Sequence, residues 1–122
     1  MENKIFLENL KYPIGTFQKH SLFDHKMFLD NIQTLKKFPK DLQNCIKNCS
    51  IDQLNFKYRP GGLTIKQVIH HCADSHTNAF GRIKLALIAN NSTIKPYDEN
   101  LWANLPNGVI NNLQLSMHIL DG

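Results

Sequence analysis

Nothing in this 122-residue chain approaches the ~18 to 20 consecutive apolar residues of a membrane-crossing helix, so no such span is expected. The N-terminus, MENKIFLENLKYP, lacks the long apolar stretch of a secretory leader and carries acidic residues instead. Cysteine is sparse: Cys45, Cys49 and Cys72 make an odd number, which argues against a disulfide framework. Arginine is scarce, and the lysines are spread along the chain with no basic run interleaved with aromatics. The net charge of +4 therefore reads as a solvated surface rather than a nucleic-acid footprint. Pro60-Gly61-Gly62 lacks the spacing of a phosphate loop, and there is no Gly-x-Ser-x-Gly elbow. Internal repeats and low-complexity segments are absent. These absences leave a cytoplasmic protein with neither nucleic acid nor membrane as its expected partner.

What is present suits one helical domain, or most of one, with 42% hydrophobic and 20% charged residues. Residues 1–20 read as an extended arm or loop turning at Pro13-Ile14-Gly15, with Phe6, Tyr12 and Phe17 placed to cover one end of a bundle. A first long helix is expected from about Ser21 to Asn48. Its seam, Phe28, Ile32, Leu35, Phe38, Leu42, Cys45 and Cys49, repeats at three and four residues. Pro39 falls inside that run and predicts a kink rather than a break, because the periodicity survives it. His20 and His25 share no helix face and read as surface residues. Cys45 and Cys49, at i and i+4, could share a soft metal, but such residues are more often small core hydrophobes. Ser50 caps a short turn. Asn90 to Asn111 forms a long connection, either a flap over a site or a crossover between helices. A third helix starts near Asn111 with Leu113, Met117 and Leu120 on its inner face.

The chain is organised around the stretch from Tyr58 to Tyr97. Thr64 and Gln67 form a Thr-x-x-Gln capping box, predicting a helix from Thr64 to about Ala89. Ile65, Val68, Cys72, Ala79, Ile83 and Ala86 fall on one apolar face. His76 lies inside that stripe, the place of a hydrogen-bonded core histidine. His71 sits at its edge, where a side chain can enter a cleft between helices. His70 faces away from the stripe, towards solvent or a partner. No two of these three are spaced i, i+4, so this helix alone cannot clip a metal. Cys72 beside His71 makes no nucleophile pair, since adjacent helical residues point ~100° apart.

The run YRPGG-TI-QVIHH-ADSH, followed by TIKPYDENLWANLP, resembles the YfiT-like branch of the DinB superfamily. The resemblance takes in Lys11 to Gly15 and Ser116 to Gly122 as well, nearly the whole chain. It implies an all-α four-helix bundle acting as a metal-dependent hydrolase or a bacillithiol S-transferase. Such a bundle holds zinc or nickel on three histidines, one from the second helix and two from a His-x-x-x-His on the last. The motif selects His71, before Cys72-Ala73-Asp74, as the metal ligand, with Asp74 as a supporting acceptor or a surface charge. Leu63 stands where the family usually has Trp. His118 is the sole histidine after His76, so the resemblance implies a single domain, 1–122, cut before its last helix. The expected fold is three helices with an arm and a crossover. The expected partners are a small-molecule substrate, such as a low-molecular-weight thiol, and a second copy of the chain. A non-catalytic remnant or helical interaction module is the alternative.

Overall fold

The computed structural model describes every residue except Met1 and His20, with side chains described from Ile5 onwards. Among the described residues there are seven helical segments and no strand, only an isolated bridge between Lys57 and Thr64. They are α1 (Glu2–Lys11), α2 (His25–Ile46), α3 (Ile51–Leu54), α4 (Ile65–Ile88), α5 (Glu99–Ala103), α6 (Pro106–Val109) and α7 (Gln114–Asp121). No helix is long and apolar enough to cross a membrane among the described residues.

The long helices begin where local chemistry says they should. Asp24 accepts a hydrogen bond from the Met27 amide to start α2, which runs unbroken through the buried Pro39. Ser50 and Gln53 form a capping box on α3, and Thr64 and Gln67 form one on α4. Each box satisfies two amides that the first turn would otherwise leave unpaired. Before α4 the chain reverses at Gly61, whose φ of +68° favours glycine, and the Ile65 amide closes the loop onto the Phe56 carbonyl.

The expectation of an extended arm is corrected. Residues 2–11 form a helix, supported by a Lys11–Glu8 ion pair one turn apart and by half-buried Leu7 and Leu10. It does not cover the bundle: α1 packs on none of the other helices, and Phe6, Tyr12 and Phe17 are exposed. His25 is exposed at the start of α2, while His20 lies outside the described residues.

The buried face of α4 is also corrected. Gln67, Ile69, His70 and Ala73 point into the core, against α7, α5 and α6. The apolar stripe of Ile65, Val68 and Cys72 is only half-buried, and Ala79, Ile83 and Ala86 are exposed. The helix is thus turned by about a third of a revolution from the orientation that apolar periodicity suggests. The reason is that two polar side chains on the core face find partners far away in sequence. The Gln67 amide donates to the Ala103 carbonyl at 2.9 Å, and His70 bridges α7 and the loop before it. A satisfied polar group can be buried without penalty to the fold.

The crossover is docked rather than loose. Asp98 caps α5 through the Leu101 amide, and Pro106 occupies the first position of α6. Gly108 is buried so close to Ala103 that a Cβ there would lie 2.6 Å from the Ala103 carbonyl oxygen. Helix α7 presents Leu113, Ser116, Met117 and Leu120 inward and packs on both α4 and α2. Along the other side, α2 and α4 stay apart: no pair of their Cα atoms lies within 8 Å.

Candidate functional site

Two adjacent histidines on the first turns of α4 have opposite environments. His70 is 4% exposed, with Nδ1 2.7 Å from the Ser116 hydroxyl and Nε2 3.1 Å from the Ile110 carbonyl oxygen. A carbonyl only accepts, so Nε2 carries the proton and Nδ1 accepts from the serine hydroxyl. Both nitrogens are then committed, and neither has a lone pair to give a metal. The expectation that His70 faces outward is therefore corrected. It joins α4, α7 and the end of the crossover.

His71 is half-buried on the side away from α7. Its Nδ1 is shielded from solvent and has no hydrogen-bond partner among the described residues. An orphaned buried nitrogen costs about 1–3 kcal/mol, and such groups are rare enough in folded proteins to mark a site awaiting a ligand. The ring borders a cavity of about 620 Å³ between the end of α2, the loop before α4, α4 itself and the start of α5. Leu42, Ile46, Leu63 and Val68 supply its apolar walls, with the Cys45 and Cys49 side chains on the α2 side and Glu99 on α5. Leu63 thus helps to line the cleft that His71 enters.

His76 binds the Cys72 carbonyl at 2.9 Å through Nδ1 and stacks on Phe38 with ring centroids 5.7 Å apart. Asp74 is half-buried, and its carboxyl is pushed up by burial, an effect opposed by the nearby His71 and His70. Tyr97 lies over the same part of α4. Its hydroxyl is pushed up by burial, then by Glu99 and Asp74, and pulled back by Ser75 and Arg82. It stacks against Trp102 at 4.7 Å, which pins the crossover. His118 is exposed on α7, apart from this cavity.

Among the described residues no group of three or more His, Cys, Asp or Glu side chains is placed to hold a metal ion. His71 fits the role of one ligand, and a complete coordination set is not formed around it. Periodicity missed Gln67, His70 and Ser116, because nothing local signals a polar residue whose partner is 36 to 46 positions away.

The three cysteines are free. Burial pushes the Cys72 thiol up, whereas Cys45 is exposed, so at pH 8 an alkylating reagent should modify Cys45 well before Cys72. Denatured protein should titrate as three thiols without reductant. A mass-spectrometric time course checks both expectations, and Cys72 reacting first would contradict the burial of its thiol.

The profile of the DinB superfamily matches residues 34–118. A Bacillus cereus (strain B4264) protein named "Putative metal-dependent hydrolase" is 41% identical over 115 residues, 94% of this chain and 66% of its own length. A protein of the same name from Bacillus anthracis (strain A0248) is 44% identical over 100 residues, 82% of this chain and 58% of its own length. Among solved structures, YfiT from Bacillus subtilis superimposes with a TM-score of 0.87 at 35% identity, over 93% of this chain and 65% of its own. YfiT is described as a probable metal-dependent hydrolase with an unusual four-helix bundle topology. The chain thus spans 58 to 66% of the length of these relatives. The capped, His-bearing α4 and the docked crossover both lie within the matched region, and the protein belongs to the DinB superfamily.

Proposed function

We propose that this chain carries one arm of a metal centre of the metal-dependent hydrolase type, with His71 as the ligand it contributes and zinc as the metal. The observation that carries this reading is the unpartnered, shielded Nδ1 of His71 at the edge of a walled cavity. The names of the relatives support a metal-dependent activity, and the matched part of YfiT includes this segment. Zinc suits neutral imidazole donors and, when held with an open position, acidifies a bound water or thiol. The residues of this chain do the rest of the work. His70 and Gln67 lock α4 against α7 and the crossover, which fixes the direction of His71. Leu42, Ile46, Leu63 and Val68 keep water from one side of the imidazole. Asp74, one turn on, lends negative charge near the ring.

Hydrolysis and transfer of a low-molecular-weight thiol are both compatible with this donor, and a small-molecule substrate fits the cavity volume. A cytoplasmic, homodimeric protein goes with the same proposal. Since one imidazole is a poor zinc site, the isolated chain should bind Zn²⁺ weakly and turn over little substrate. Calorimetric titration tests this: binding should be weak and should fall more than ~10-fold in His71→Ala. A version extended by a helix bearing His-x-x-x-His should bind far more tightly. Tight one-to-one binding by the unextended chain would overturn the single-ligand account.

A further inference from the structure

The apolar side of α4 that faces away from the core has no partner within the fold. Ile65 and Val68 border the groove between α2 and α4, and the seam of α2 faces it with Leu42, Cys45 and Ile46. Further along, Ile83 is 61% exposed on α4 and Phe28 is 45% exposed on α2, so apolar surface extends beyond the cavity on both helices. A seam with this spacing on two neighbouring helices is how a third rod is received in a bundle. The helices are also held apart, with no Cα pair within 8 Å. That separation leaves a trough of about 620 Å³ rather than a closed contact.

We infer that this groove is a docking site for one amphipathic α-helix supplied as a separate polypeptide segment. Three observations choose that occupant. YfiT superimposes on this chain with a TM-score of 0.87 as a four-helix bundle, yet the match leaves about a third of its chain without a counterpart. The groove is concave and runs between two helices, a shape filled by a rod of ~10 Å diameter. A second copy would meet it, in a two-fold dimer, with the same concave surface, and two troughs do not fill each other. The side chains available are aliphatic groups and thiols along the walls, with Arg59 and Glu99 at the rim, so the incoming stripe should be aliphatic with polar flanks. Such docking rests on packing alone and requires no metal.

The test uses the intact 122-residue chain with chelator present. The probe is the portion of YfiT outside the matched region, made as a separate polypeptide, beside a scrambled version of equal composition. Fluorescence anisotropy should show saturable one-to-one binding of the native probe and none of the scrambled one. Because Cys45 is exposed at the groove, its alkylation should slow at least ~10-fold in the complex. Cys45→Asp, a change at an exposed position that the fold tolerates, should weaken binding at least ~10-fold, and Val68→Asp should do the same. Leu115→Asp, on the exposed side of α7, should leave it unchanged. Equal binding of the scrambled probe, no protection of Cys45, or indifference to Cys45→Asp would overturn the inference. So would a dimer of this chain, seen by sedimentation and dispersed by Cys45→Asp, since a second copy would then be the occupant. All of these outcomes are read without metal, so the zinc titration of His71 can succeed or fail independently of them.

Discussion

His70→Ala should destabilise the fold by about 3–4 kcal/mol, while His71→Ala, one residue on, should change stability by less than ~1 kcal/mol in either direction. The difference follows from partners, not from residue type. Removing the His70 ring strands the Ser116 hydroxyl and the Ile110 carbonyl in a buried place and opens a void between α4 and α7. Each stranded group costs about 1–3 kcal/mol, and the void adds to that. Against a total of roughly 5–15 kcal/mol for a domain, the loss is severe. His71 gives the fold an unsatisfied nitrogen, so its removal relieves one cost while losing some packing. Urea unfolding of the two variants decides the matter. If both lose the same stability, the two rings share a structural role and His71 is no longer the better ligand candidate.

Gly108→Ala should cost about 2–4 kcal/mol, an unusually large effect for adding one methyl group. The new Cβ would sit 2.6 Å from the Ala103 oxygen and 2.9 Å from its carbonyl carbon, both backbone atoms. Neither can yield by rotating a side chain, so α6 must move off α5. That same Ala103 oxygen accepts from Gln67, and the displacement would reach the start of α4. Gly81 offers the control: a Cβ there meets nothing within 4 Å, and on an exposed stretch of α4 the change to Ala should stabilise by up to ~1 kcal/mol. Thermal unfolding of both variants reads the contrast. A mild Gly108→Ala would mean that α5 and α6 are less closely packed than described.

The local parts of this fold are legible in the sequence. The Thr64-x-x-Gln67 box, the Ser50 turn, the course of α2 through Pro39 and the inner face of α7 are set by neighbours within one or two turns. Two further local signals, Asp98 ahead of α5 and Pro106 at the start of α6, are available and would divide the connection into short helices. The orientation of α4 is not legible. Apolar periodicity assumes that the most hydrophobic stripe is the buried one, and here Gln67 and His70 occupy the core because distant groups complete their hydrogen bonds. His71 stands at the boundary of the two faces, which is why its entry into a cavity can be expected while the fate of His70 cannot. The helicity of α1 is hidden for another reason: it makes no tertiary contact and rests on spacing within eleven residues, too short a stretch to decide from pattern.

The double engagement of Gln67 has a kinetic consequence. Its side-chain oxygen completes the cap of α4, and its nitrogen holds a carbonyl 36 residues later. Initiation of the longest helix is therefore not a purely local event, because the amide group is fully positioned only when the crossover has arrived. The loop between must close before the first turn gains its full stabilisation, and contacts of long sequence separation form late and slowly. A segment that looks able to nucleate by itself instead shares its transition with the docking of α5.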